Sequence, residues 1–237
     1  MTEEEHKGGN PQPEPPERIR LRDHVSRHIE RLQGGYTAGS SAAVSTLAKL
    51  RNGVGKPVGA ELSLLQYTTA GLYPEGTPLP DEPTDRERAA YTAITLFAVH
   101  QQSQRELRMH QAGDGTTPGN SLGKAAGRLY QKTGAPGVIR RFEGLGTAQS
   151  WPEINQHARG LIQLLRAEKI PLDYGRFAED LLALQRPEWA ATVRNRWGRD
   201  FYRLTQRAAL DSEAQRAGDV AGAELAGDPT GSDSPAA

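Results

Sequence analysis

The sequence predicts an all-α fold, a helical bundle of about nine helices. Three observations carry it: apolar residues recur three and four positions apart in segment after segment, alternating apolar and polar runs are nearly absent, and β-branched residues do not cluster. Glycine and proline breaks divide the chain into the segments that follow, with boundaries expected to hold within about three residues.

The first helix, about 19–33, places Leu21, Val25, Ile29 and Leu32 on one face and should stop at Gly34-Gly35. A second spans about 41–51 and stops at Asn52-Gly53; a third spans about 60–71 and ends at Gly71. The punctuated loop YPEGTPLPDEPT leads to Asp85, an N-cap candidate for a helix of about 86–110 that carries Ala90, Ile94, Phe97, Ala98 and Leu107. After the loop AGDGTTPGN, Asn120 or Ser121 caps a helix of about 121–132, and Gly134-Ala135-Pro136 breaks the chain before about 137–147. Trp151-Pro152 opens about 152–168, where Ile154, Ala158, Leu161, Ile162 and Leu165 share a face. Pro171 separates it from about 172–185, and Pro187 starts the last helix, about 188–210.

In that last helix Trp189, Val193, Trp197, Phe201 and Leu204 fall within one arc and are expected in the core. Arg196, Arg199, Arg203 and Arg207 form a ridge beside them. Asp200 lies inside the apolar arc, so it should pair with Arg196 or with a neighbouring helix, because an unpaired carboxylate there would be costly. Residues 1–17 and 211–237 are read as disordered acidic tails: the first is punctuated by prolines, and the second has too few apolar residues to offset the entropy of ordering. The helical domain is then 18–210, with a seam near 133–137 where two helical lobes would meet.

The formal net charge is zero, but it is unevenly spread. Residues 1–17 carry net −4 and 211–237 net −5, which leaves 27 basic and 18 acidic residues, net +9, in 18–210. Within that body 18–56 is +6 and 100–141 is +5, whereas 57–99 is −4. Of the 29 basic residues 23 are arginine, the side chain that grips phosphate in a planar fork. Zero cysteines exclude thiolate metal sites, iron–sulfur clusters and cysteine nucleophiles. No run of about 18 apolar residues exists, and the acidic, proline-rich start is unlike a signal peptide, so no membrane association and a cytoplasmic location are expected.

Motifs that suggest catalysis fail on context. Gly119-Asn120-Ser121-Leu122-Gly123 fits the nucleophile elbow G-x-S-x-G, but a polar, glycine-rich stretch precedes it where a buried strand is required. Ser121-Leu122-Gly123-Lys124 lacks the K-T-G partner of its enzyme families, and Gly119 to Ala125 is too short for a phosphate-binding loop. A simpler reading has the capped start of that helix, with Lys124 and Arg128, hold a backbone phosphate; the alternative is a plain capped surface helix. His24 and His28 stand four apart but lack an acidic neighbour and a third ligand, so no metal is expected. Asp173 and the pair Glu179-Asp180 have no basic or nucleophilic partner set, so no catalytic residue, cofactor or reaction is specified. The aromatics, few and core-like (Trp189, Trp197, Phe201), offer no stacking platform for single strands.

Several blocks, in order over about 40–205, resemble a known family. They are Leu50-Arg51-Asn52-Gly53, Leu96-Phe97-Ala98-Val99-His100-Gln101 followed by Met109-His110, Ser121-Leu122-Gly123-Lys124-Ala125, and Arg140-Arg141-Phe142. Further on stand Ile154 with His157-Ala158-Arg159-Gly160-Leu161-Ile162, then Ile170-Pro171-Leu172-Asp173-Tyr174, and Trp197-Gly198-Arg199-Asp200-Phe201-Tyr202-Arg203. The set resembles the CasB-type small subunit of the type I-E CRISPR Cascade complex. Where that family usually reads Leu-Arg-Arg-Gly, this chain has Asn52 and keeps Arg51.

The resemblance implies an all-helical, non-catalytic subunit without a cofactor, present as two copies in a crRNA-guided antiviral complex. Its partners would be the backbone and large subunits, a second copy of itself, crRNA and target DNA. Its basic surface would support the guide–target heteroduplex and the displaced strand, stabilising the R-loop. On charge and family position together, Arg51, Lys124, Arg128, Arg140, Arg141, Arg159, Arg199 and Arg203 are expected to form one surface that touches phosphate rather than bases. The competing expectation is a stand-alone helical DNA-binding regulator, which would need a helix-turn-helix; the glycine and proline breaks between these helices do not supply its pattern.

Overall fold

The computed structural model describes residues 19–113, 116 and 119–225, with α9 beyond Arg207 as backbone only. Among these residues there are nine helices and no strand: α1 (Leu21–Thr37), α2 (Ser41–Asn52), α3 (Leu62–Thr68), α4 (Asp85–His100), α5 (Leu122–Thr133), α6 (Pro136–Thr147), α7 (Trp151–Ala167), α8 (Tyr174–Leu184) and α9 (Pro187–Leu225). A single isolated bridge joins His110 to Leu172. No described helix is long and apolar enough to cross a membrane.

The centre of the molecule is α4, buried on every side from Ala89 to His100, as a helix apolar all round must be. It is started by Thr84 rather than Asp85, in a reciprocal capping box: the Thr84 hydroxyl accepts from the Glu87 amide at 3.2 Å and the Glu87 carboxylate accepts from the Thr84 amide at 2.7 Å. Around α4 pack α1, α2, α7 and α8, while α5, α6 and α9 form a second set that α7 and α8 link to the first.

Three helix ends differ from those read in the sequence. Helix α1 runs through Gly34-Gly35 to Thr37. Gly35 lies where a Cβ would come within 2.9 Å of the Ala43 side chain, so it serves the close crossing of α1 and α2, and the turn is taken by Gly39 at φ +79°. Helix α4 stops at His100, ten residues before its expected end, because the side chain of buried Gln101 gathers the following loop: its Nε2 donates to the Leu107 carbonyl at 2.8 Å and its Oε1 accepts from the Met109 amide at 3.1 Å. Leu107, read as part of that helix, is therefore in a loop and 40% exposed, and Met109 lies in the core. Helix α9 continues to Leu225, so residues 211–225 are helical where a disordered tail is read from the sequence. Poverty in apolar residues limits what a segment can bury, but Ala, Gln, Glu and Arg keep helix propensity high, and the next proline is Pro229. The tail at 1–17 and residues 226–237 lie outside the described residues.

Val193, Trp197 and Phe201 are buried as expected, but Trp189 is 55% exposed at the start of α9 and Leu204 is half-buried. Asp180, fully buried on α8, accepts from the Trp197 indole at 2.6 Å and pairs with Arg196. Arg196 is thus occupied by α8. Asp200 takes the alternative of a partner helix, accepting from the Ser121 hydroxyl at 2.5 Å with Arg176 at 3.7 Å.

Candidate nucleic-acid interface

A groove of about 900 Å³ opens between two walls. One is the loop after α2, residues 54–58, pressed onto the first turns of α4; the other is formed by α6 and α7. The first wall is fixed by Tyr91, whose hydroxyl donates to the Gly53 carbonyl at 3.2 Å. A Cβ on Gly53 would meet Leu64 and that hydroxyl at 2.6 and 2.7 Å, so only glycine lets the loop lie this close.

The second wall is set by two reciprocal notches. On α6, Gly144 receives the His157 ring of α7, 2.7 Å from where a Cβ would stand. On α7, Gly160 receives the Arg141 side chain of α6, 2.9 Å from its own missing Cβ. Arg141 also donates to the Gly137 carbonyl at 3.2 Å, so its guanidinium is laid across α7 at the groove edge. Arg140 and Arg159 are exposed beside it, each on its own helix, and both line the groove.

The lining carries five cations, Lys56, Arg88, Arg140, Arg141 and Arg159, against one carboxylate, Glu82. Lys56 pairs with Glu61 at 2.5 Å and Arg88 with Asp85 at 3.2 Å. Arg140, Arg141 and Arg159 form no ion pair among the described residues. Three guanidiniums on one groove with no carboxylate paired to them favour an anion such as phosphate.

Of the eight residues expected to form one surface, these three line the groove together. Arg51, half-exposed in the last turn of α2, precedes the loop wall by three residues. Lys124 and Arg128 stand on α5, and exposed Arg199 and Arg203 on α9; none of these five lines the groove. At the start of α5, where a phosphate is expected, the chain supplies partners of its own. Ser121 caps that helix, accepting from the Lys124 amide at 3.2 Å, but it is 1% exposed and its hydroxyl faces Asp200. The chain's own carboxylate therefore meets that helix start, where the dipole favours negative charge. Arg128 turns back to donate to the Asn120 side-chain oxygen Oδ1 at 3.1 Å.

Lys56, Arg88 and Trp151 in this lining escaped the sequence reading. Lys56 sits in a Gly-Lys-Pro turn and Arg88 in a stretch of net negative charge, so neither was marked by local charge. Half-buried Trp151 reads in the sequence only as the opener of α7.

The remaining polar groups serve the core. Asp173, fully buried, pairs with Arg22 at 2.8 Å and caps α8 by accepting from the Arg176 amide at 3.0 Å. His110 Nδ1 accepts from the Tyr174 amide at 3.1 Å, and His100 Nδ1 lies 3.0 Å from the Tyr174 hydroxyl. Burial lowers His100 to about 3 and holds His110 below its ordinary value against the pull of Asp173. His24 bonds the Thr68 carbonyl at 2.8 Å, and burial together with His24 brings His28 to about 4. Among the described residues no group of three or more His, Cys, Asp or Glu is arranged to hold a metal ion.

The model of the CRISPR-associated protein Cse2 family matches residues 46–202. Among solved structures, CasB from Thermobifida fusca is similar at 34% identity and a TM-score of 0.64, over 77% of this chain and 98% of that one. CasB from M. ruber is similar at 21% identity and a TM-score of 0.60, over 82% and 99%. A chain of a CRISPR RNA-guided surveillance complex is similar at 20% identity and a TM-score of 0.59, over 81% and 99%. The last two likenesses are of fold. No curated protein matches the chain significantly.

Proposed function

The chain belongs to the CRISPR-associated Cse2 family, whose members are non-catalytic Cascade subunits, and from that membership we propose how it works in such a complex. It acts as a small subunit of a type I-E Cascade, present as two copies beside the backbone and large subunits, in the cytoplasm. Its groove between α6, α7 and the loop after α2 receives the phosphate backbone of the nucleic acid in the R-loop, target DNA included. The observation that carries this is the convergence of Arg140, Arg141 and Arg159, unpaired, on one groove. Lys124, Arg128, Arg199, Arg203 and Arg51 extend the basic surface outside it.

Such contacts need supply little energy. Opening a DNA duplex against a guide RNA is a nearly balanced exchange, and backbone contacts are enough to tip it. They also carry no sequence information, which leaves specificity to base pairing.

The test is charge reversal at Arg140, Arg141 and Arg159 together, with target binding by the assembled complex measured across salt. For a single strand each lost phosphate contact lowers the slope of log affinity against log salt by about 0.7, so three should lower it by about 2. Unchanged affinity and slope with intact assembly would show that the groove does not hold the backbone.

A further inference from the structure

Trp151 gives the groove a second chemistry. It is the first residue of α7, half-buried, and it lines the same groove as the three unpaired arginines. Pro57, Pro83 and Pro152 add flat apolar walls, and Asn155, Gln156 and Gln163 add amide edges. A guanidinium cluster asks for phosphate, whereas an indole in a groove also lined by proline rings asks for a planar, apolar-faced group. One ligand offers both within a single monomer: a nucleotide whose base is not paired.

Size points the same way. At about 900 Å³ the groove lies within the roughly 300–1,000 Å³ range of pockets that enclose drug-sized molecules. A nucleotide fits such a volume.

Resting on the groove's assignment above, we propose that it admits an unpaired nucleotide of a single strand, its phosphate on Arg140, Arg141 and Arg159 and its base stacked on the Trp151 indole. The occupant is therefore a single strand, DNA or RNA, rather than the face of a duplex. Every base has a π-face, so stacking keeps the contact independent of sequence.

The experiment uses the full chain at low salt with three probes: oligothymidylate, oligouridylate and a mixed-sequence DNA duplex. In a W189F background Trp151 and buried Trp197 are the remaining indoles, and titration with a single strand should quench the fluorescence while the duplex should not. W151A should weaken single-strand binding by about 5- to 150-fold, the range for losing one base–aromatic stack, and leave duplex binding unchanged; W151F should retain most of the affinity. Whichever oligomer binds more tightly identifies the strand. If W151A binds single strands like the parent while the triple arginine reversal weakens them, stacking is refuted and the backbone contact stands. If neither variant changes binding, the groove assignment falls and stacking with it. Should W151A not fold, the absence of quenching in the W189F protein is the overturning result.

Discussion

Helices α5 and α9 meet across glycine, and substituting Gly123 should force them apart. A Cβ at Gly123 would stand 2.3 Å from the Trp197 carbonyl oxygen, 2.9 Å from the Trp197 Cα and 2.9 Å from the Asp200 Cβ, where ordinary contact begins at 3.4 Å. Two of these atoms are backbone, so no rotamer change relieves the overlap, and α9 must move about 1 Å, the shortfall at the nearest atom. That movement disturbs the Ser121–Asp200 bond and the stack of Phe142 on Phe201, whose rings lie 5.0 Å apart. Replacing a helical glycine by alanine gains about 1 kcal/mol in propensity, so the strain must exceed that gain. With the nearest contact at 2.3 Å and to backbone, the overlap belongs at the upper end of the range for overpacking that shifts backbone, about 3 kcal/mol. A net loss of about 2 kcal/mol follows for G123A, a fall in melting temperature of roughly 4–8 °C for a chain of this size. Gly198 on α9 has nothing within 4 Å of its Cβ position, so G198A should instead gain about 0.5–1 kcal/mol. Thermal and urea unfolding of the two variants beside the parent decide the matter. If G123A melts at the parental temperature, the close approach of α5 and α9 is not what glycine is there for.

Two further outcomes concern stability. His100 is neutral in the fold, with its pKa near 3 against 6.5 unfolded; its contribution is complete above pH 6.5 and is lost progressively as the pH falls below that. Between pH 7.5 and 5.0 the chain should lose about 2 kcal/mol on this account, measured as the shift of urea unfolding; H100Q should reduce the pH dependence by that amount, and an unaltered pH profile in H100Q would refute the assignment. D180A removes the acceptor of a buried indole N–H and the partner of Arg196, and should cost about 2–4 kcal/mol in chemical denaturation, whereas a loss below about 0.5 kcal/mol would mean the pair contributes nothing.

The fold class and the order of helices were legible because each helix has an apolar face and most breaks fall at glycine or proline. What escaped the reading was tertiary. Gly34-Gly35 reads locally as a stop, yet Gly35 is a packing notch for Ala43 inside a continuing helix. The end of α4 is decided by Gln101 gathering a loop that helical periodicity, extrapolated to Leu107, could not reveal. The groove was half legible: Arg140, Arg141 and Arg159 stood out by charge and family position, and they converge because Gly144 and Gly160 let α6 and α7 interlock. Lys56, Arg88 and Trp151 come from other segments, and only the folded chain brings them beside the arginines.

The interlock of α6 and α7 also divides labour among the cations. A free surface arginine must surrender its rotamers when it grips a phosphate, at about 0.5–1.5 kcal/mol for each side chain immobilised. Arg141, wedged over Gly160 and tied to the Gly137 carbonyl, has given up that freedom already, during folding. Arg140 and Arg159 have not. On the proposed function, a strand entering the groove would meet one charge already held in place and two exposed ones left to adapt to it, so the landing point on the protein would be defined even though the sequence that lands there is not.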